Sequence, residues 1–404
     1  MLSRIKFAVV ISSTFLTALL VIGAALGDNT SADGAYRQLS VYTEVLSRIK
    51  SDYVEEPDIK QVTAGALQGM LESLDPQSCY MTADQYKEYQ KLKAAPQRGD
   101  VGLVISKRFG IVFILATQPG SPAAKAGLGI GDQLEAIDSK ATRDLPLPLT
   151  QALLNGPAGS TVALVVRRNR QTDNQEELTL TRAGVQVPAV TGKLLDDKVG
   201  YIEVRALAPG KAAEAAGIIR DLTRQGAQRL VLDLRGNAVG DVPEGLKLAN
   251  LFVSDGLLAY LQGQKSPRKD FPADPSQAIT KLPLVVIANR ATSGGAEVTA
   301  AAILDRNRGK IVGEKTFGLA AEQKTINLDD GAAVILSVAK YYRPAGKAIQ
   351  DGGVNPTLQV AETPDTEDDD DNPHTPNQSE KSPENDELLK KAIELVKGAA
   401  PTAA

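Results

Sequence analysis

Over residues 190–360, short apolar runs alternate with helical stretches, and this alternation limits the fold more than any other feature of the chain. The runs at 199–204, 229–234, 282–288 and 310–312 have the length and apolar content of buried strands. Helical stretches at 212–224 and 296–305 lie between them. Strands interleaved with helices predict a mixed, partly parallel sheet. Strict alternation returns at 333–342 and predicts an antiparallel strand.

Residue types then exclude much chemistry. The chain has one cysteine, Cys79, so it can form no intramolecular disulfide and no thiolate metal cluster. Its one histidine, His374, lies in a polar, acidic tail. A Ser–His–Asp or Cys–His site needs a histidine in the folded part, as does a zinc site built on imidazoles. Hydrolysis here would need a lysine or carboxylate base. No metal or cofactor is implied. The formal net charge of −4 makes nucleic acid an unsuitable partner.

The flanks read differently. A basic start (Arg4, Lys6) precedes an apolar run over residues 7–26, and Ala25-Leu-Gly27 offers a small-residue cleavage site. Residues 1–27 are therefore either a cleaved export signal or a retained membrane anchor. Both readings place the body outside the cytoplasm, in the periplasm or another extracytoplasmic space, secreted or anchored to the inner membrane. Residues 35–95 read as helical, with Leu39, Val41, Tyr42, Val45, Leu46 and Ile49 at helical spacing and a second helix over 64–74. Residues 361–384 carry a run of aspartates among prolines and read as disordered. A short amphipathic helix is expected at 387–397, within a terminal segment 385–404.

Residues 99–185 resemble a PDZ domain. The resemblance rests on Gly120-Ser-Pro-Ala-Ala-Lys-Ala-Gly-Leu-Gly-Ile-Gly-Asp-Gln-Leu-Glu-Ala-Ile-Asp138. Ser121 caps a short helix, Gly127 ends it, and Gly131-Asp132 turns into a strand at 133–137. A second helix is expected at 150–154 and a strand at 161–167. PDZ domains bind an extended peptide as an added strand and hold its terminal carboxylate in backbone N–H groups. The resemblance places that loop at Val101, Gly102, Leu103 and Val104.

The rest of the chain is similar to the carboxyl-terminal processing (tail-specific) serine peptidase family. The motifs are Gly65-Ala-Leu-Gln-Gly-Met-Leu-Glu-Ser-Leu-Asp-Pro76, Asn289-Arg-Ala-Thr-Ser-Gly-Gly-Ala-Glu297, Gly313-Glu-Lys-Thr-Phe-Gly-Leu-Ala-Ala-Glu-Gln323 and Tyr341-Tyr-Arg-Pro-Ala-Gly-Lys-Ala-Ile-Gln350. The family's first site segment reads Asn-x-Gly-Ser-Ala-Ser-Ala-Ser-Glu, with the middle serine as nucleophile. Its second reads Gly-Glu-x-Thr-Phe-Gly-Lys-Gly-x-x-Gln, with the lysine as base. In an ungapped register the nucleophile position is Gly294 and the base position is Leu319, with the family's own separation between them. Only the assisting glutamine is retained, as Gln323. The family's Leu-Arg-Asn-Asn-Pro-Gly-Gly loop, which supplies an oxyanion donor, stands here as Leu234-Arg-Gly-Asn-Ala-Val-Gly240, with Val239 for one glycine. A β-branched residue disfavours positive φ and close backbone approach.

Ser293 and Lys315 are weak substitutes for the dyad, with Thr292 and Lys324 beside them. A one-residue shift at a helix start turns a side chain by about 100°, so Ser293 is expected to point away, as a surface or capping residue. Gln323, lacking a base to orient, is expected to bond strand or helix backbone.

The resemblance thus implies a multidomain α+β protein: a helical N-terminal region (35–95), a PDZ domain (99–185) and an α/β protease-like core of the tail-specific peptidase type (190–360). It implies a peptidase scaffold without its dyad, binding polypeptide C-terminal tails as an adaptor, a decoy or a partner of an active relative. The alternative is a peptidase acting on C-terminal tails with a non-standard nucleophile. Homo-oligomer formation is left open.

Overall fold

The apolar runs become the inner strands of a sheet buried on both faces. A computed structural model describes residues 30–95, 99–168, 175–184, 186–361 and 386–398. Residues 1–27, nearly all of the acidic stretch 361–384, and His374 lie outside the described residues, so the expectations for them rest on sequence alone. Among the described residues, no helix is long and apolar enough to cross a membrane.

The chain divides into two compact units, Met1–Ala66 and Leu67–Ala404. The first holds helix α1 (Thr30–Asp52) and the start of α2 (Ile59–Glu72). The second opens with a departure from the all-helical reading of 35–95. Strand β1 (Cys79–Met81) pairs antiparallel with a later strand, Cys79 opposite Ile335 and Met81 opposite Ala333. The Asp75 carboxylate accepts the Gln77 and Ser78 N–H groups and turns the chain out of α2. Cys79, Tyr80 and Met81 are all buried, so tertiary burial decides a segment too short to carry a period. Helix α3 (Ala83–Ala94) follows, with Thr82 and Gln85 forming a capping box.

A six-strand sheet with two short helices comes next: β2 (Leu103–Arg108), β3 (Ile111–Thr117), α4 (Pro122–Lys125), β4 (Gln133–Ile137), β5 (Lys140–Ala141), α5 (Leu147–Leu154), β6 (Thr161–Arg167) and β7 (Gln175–Thr181). The sheet order is β2-β3-β4-β6-β7, with β5 paired to β4. Ser121 caps α4 by accepting the Ala124 N–H, as the sequence indicates, and Gly127 follows at φ 68°. The second helix starts three residues before the expected one, at Leu147, behind the N-cap Pro146.

The core follows with β8 (Thr191–Leu195), β9 (Val199–Glu203), α6 (Lys211–Arg224), β10 (Arg229–Asp233), α7 (Val242–Asn250), β11 (Leu257–Gln262), β12 (Lys269–Pro272), β13 (Leu284–Ala288), α8 (Gly295–Asp305), β14 (Lys310–Gly313), β15 (Ala321–Asn327), β16 (Ala333–Tyr342), β17 (Leu358–Gln359) and α9 (Glu387–Lys397). The main sheet runs β17-β14-β13-β10-β9-β8, parallel except for the β8–β9 pair. Alternate residues serve its two faces. Leu230, Leu232, Val286 and Ala288 face the cluster shared with α6, α7 and α8. Val231, Val285, Ile287 and Val312 face Leu388, Leu389, Ala392 and Val396 of α9. Burying each large aliphatic side chain of α9 contributes about 1.5–3 kcal/mol.

A second, antiparallel sheet joins β1, β16, β11 and β12, with β15 also on β16. The core therefore extends beyond 190–360: it takes one edge strand from the N-terminal region and its covering helix from the C-terminal segment.

Candidate functional site

Strand β13 is wholly buried and ends at Ala288, and the next residues form a tight turn into α8. Asn289 Oδ1 accepts the Ala291 N–H inside the turn and the Gly236 N–H from the loop after β10, both at 3.1 Å. Thr292 Oγ1 accepts the Asn289 N–H and donates to the Leu234 carbonyl at 2.9 Å. The Ser293 N–H donates to the Asn237 carbonyl at 2.9 Å. The turn and the 234–240 loop are thus stitched together at the carboxyl ends of two neighbouring parallel strands, where free helix N–H groups gather.

Gly294 sits at the N-cap of α8 with φ 60° and ψ −122°. L-residues rarely adopt this conformation, which costs about 1–3 kcal/mol when they do. A strand-to-helix turn strained in this way is the geometry that presents a nucleophile in hydrolases built on a nucleophile elbow. Space is not the constraint. A Cβ on Gly294 would meet only the Gly240 carbonyl oxygen at 3.5 Å and the Leu319 carbonyl oxygen at 3.7 Å. Residues 294 and 319 are therefore brought together.

What joins them is Glu297. Its fully buried carboxylate accepts the Gly294 N–H at 3.1 Å, the Gly318 and Leu319 N–H groups at 2.7 Å each, and the Thr316 hydroxyl. Burial pushes this carboxyl up to about 7, and the four donors only partly oppose the rise. Glu297 closes the Asn289–Glu297 motif, and its place in that motif alone assigns it no role. A glutamate at the third position of a helix that starts beside a site was the available signal.

Among the other expected residues, Ser293 departs from its reading. It is neither a surface residue nor the cap: it is 3 % exposed, and its Oγ has no hydrogen-bond partner among the described residues. Its backbone is fixed by Asn237, and packing against the stitched loop removes it from solvent. Thr292 is also fully buried. Lys315 and Lys324 are exposed. Gln323 lies exposed on β15 and donates from Nε2 to the Gln77 carbonyl at 3.0 Å. That is a backbone bond, as expected, but to a turn rather than to a strand or helix.

The 234–240 loop also differs from expectation. Val239 is not at positive φ, and its carbonyl accepts the Leu207 N–H at 2.7 Å. The close approach belongs to Gly240, at φ 130°, where a Cβ would lie 2.4 Å from the Leu207 backbone. The glycine the loop needs is the one it has. Valine at 239 is accommodated because the strain falls one residue later.

The six-strand sheet touches this site. Val104, Leu115 and Ala116 pack with Ala238, Ala291 and Phe317, and the Phe113 and Phe317 rings lie 6.2 Å apart. Strand β2 is an edge strand beside α5, the setting in which a peptide adds as a further strand. Val101 and Gly102 lead into it, followed by Leu103 and Val104 within it.

Three family models match the chain: peptidase family S41 over residues 198–360, the PDZ domain over 113–168, and the N-terminal domain of the activating protease CtpB over 24–85. The carboxy-terminal processing protease CtpA of Bacillus subtilis is 30% identical over 371 residues, covering 90% of this chain and 78% of that protein. The chain belongs to the carboxyl-terminal processing protease family. A further member, the carboxyl-terminal-processing protease of Synechocystis, is 33% identical over 324 residues, covering 78% of this chain and 75% of the relative. Among solved structures, the photosystem II D1 C-terminal processing protease superposes with a TM-score of 0.64 at 30% identity, over 79% of this chain and 92% of that one. The fold is that of the carboxyl-terminal processing proteases, a PDZ domain joined to an S41 core.

Proposed function

We propose that this member of the family cuts nothing, and instead binds the C-terminal tails of polypeptides through its PDZ domain. The observation that carries this reading is the pair of residues brought together at the helix start. Gly294 occupies a strained turn suited to a nucleophile and offers no hydroxyl. Leu319, held against it by Glu297, offers no amine. An acyl-enzyme needs the first and proton transfer needs the second, and losing one member of such a unit already removes most of the rate. The first-turn N–H of Gly295 has no acceptor within its own helix. The electrostatic part of an acyl-transfer site thus persists without its reagents. Residues 1–27 direct the protein out of the cytoplasm, where it acts as an adaptor, a decoy or a partner subunit of an active relative in envelope proteolysis.

The deciding experiment incubates wild-type protein and a Gly294→Ser/Leu319→Lys double variant with a denatured substrate bearing an apolar C-terminal tail. Wild type binds and yields no product; the double variant cleaves. One observation favours a second reading, peptidase activity through Ser293: its Oγ is buried and unpartnered. The two lysines that flank position 319 are exposed, which leaves that hydroxyl without an evident base. A defined product from wild type that Ser293→Ala abolishes would establish this second reading and remove the first.

A further inference from the structure

Resting on the PDZ reading above, we propose that Asp100 is a built-in competitor for the peptide's terminal carboxylate. Its own carboxylate sits on the loop N–H that the ligand needs, so a free C-terminus enters only by displacing it.

The loop is fixed from both sides. The Val101 carbonyl accepts the Ala123 N–H at 2.9 Å, and the Gly102 carbonyl accepts the Gln118 N–H at 2.8 Å. Gly102 stands at φ 81°, and a Cβ there would lie 2.1 Å from the Ser121 Cβ, so this position admits only glycine. Of the N–H groups this loop presents, those of Val101 and Gly102 are already turned onto a resident carboxylate. The Gly102 N–H donates to Asp100 Oδ1, and the Val101 N–H also acts on that carboxylate. Asp100 is held in place by its backbone, which pairs with Ala183 in both directions at 2.9 and 3.0 Å.

Charge makes the occupation consequential. Arg182 adds a favourable field, but its guanidinium donates to the Leu153, Leu154 and Thr161 carbonyls and to Ser160 Oγ. Asp100 therefore leans on the loop N–H groups for compensation. Burial pushes its carboxyl above the ordinary range in spite of the Gly102 N–H, Arg182 and Val101. Its charged form is thus held less favourably here than in water, which works in favour of its displacement. A second carboxylate cannot share the same donors, because like charges at that separation repel. Discrimination against a ligand by a resident like charge is a repulsive device for specificity.

The test measures fluorescence anisotropy of the full-length protein with a fluorescein-labelled peptide that has an alanine-rich free C-terminus, and with the same peptide amidated. Asp100→Asn keeps the turn and removes the charge; Asp100→Ala removes both. The expectation is that both variants bind the acid form about tenfold tighter than wild type while the amide form changes less than about twofold. Thermal unfolding checks that each variant is folded, and should the alanine variant fail, the asparagine variant decides. Unchanged or weakened binding of the acid form overturns the inference and leaves the PDZ reading intact, with Asp100 a mere brace. Equal tightening of both forms also overturns it. No binding of either peptide to any of the three proteins removes the inference and the PDZ reading together.

Discussion

The Glu297 carboxylate accepts the Leu319 N–H at 2.7 Å, from a side chain rooted in the first turn of the helix that Gly294 begins. One buried carboxylate therefore fixes the distance between the two segments that build the site. Replacing it by alanine leaves three N–H groups and the Thr316 hydroxyl without their acceptor. Glu297→Ala is expected to cost about 3–5 kcal/mol, since unpaired buried donors each carry a desolvation penalty. Urea unfolding of the variant beside wild type measures it, and a loss under 1 kcal/mol would show that another group holds the segments.

The same carboxyl gives a pH dependence with a definite sign. Burial pushes it up to about 7 in the folded protein, above the ordinary glutamate value of 4.5. The fold thus favours the protonated form, and this contribution is fully present below the unfolded value and lost as pH rises through the folded one. Between pH 5 and pH 8, wild type should lose on the order of 3 kcal/mol more stability than Glu297→Gln, which cannot titrate. Parallel slopes for the two proteins would contradict the assignment.

Two glycines near the site should respond in opposite ways. The Cβ that Gly294→Ser adds meets no atom closer than 3.5 Å, so backbone strain of about 1–3 kcal/mol dominates its cost and the protein stays folded. A Cβ on Gly245 would lie 2.1 Å from the Gly295 carbonyl oxygen, where α7 crosses α8 backbone to backbone. Gly245→Ala must separate the helices and is expected to exceed 3 kcal/mol, at the severe end for a single substitution. Thermal melts of the two variants rank them; the reverse order would refute the crossing argument.

The third relationship lies behind the site. Arg235 opens the 234–240 loop and donates to both carboxylate oxygens of Asp386, at 3.1 and 2.6 Å, and also to Asp233. Burial works against the Arg235 charge, but Asp233 and Asp386 outweigh it and hold the guanidinium above its usual range. Asp386 also accepts the Leu389 N–H, as the N-cap of α9. Asp386→Ala removes a cap and a buried partner at once, for a loss of about 3–5 kcal/mol. Limited trypsin digestion should then cut at Lys390 or Lys391 well before the rest of the chain; resistance equal to wild type would show that apolar packing alone retains the helix.

Much of this was readable in the residues, for identifiable reasons. Helix α9 appears at the expected 387–397 because its apolar face recurs at helical spacing from Leu388 to Val396. The inner strands appear because both faces are buried, so their apolar runs are continuous. Strand β15 escaped because Ala321–Asn327 is nearly all exposed and polar, held by pairing with β16 rather than by any pattern of its own. Strand β1 escaped for want of length. At the site, position in sequence located Gly294 and Leu319. It could not show that Glu297 ties them, that Ser293 is buried, or that the tight approach falls on Gly240 rather than Val239. Those facts depend on where distant backbone passes, and neither periodicity nor composition encodes that.

Strand β1 has one more implication. Because Cys79–Met81 completes the sheet that β16 organises, the amino-terminal segment is sewn into the catalytic-type body through main-chain bonds. A chimera that swaps everything ahead of the PDZ domain for a relative's helices would also exchange a rib of that sheet, so these regions cannot be traded as independent cassettes.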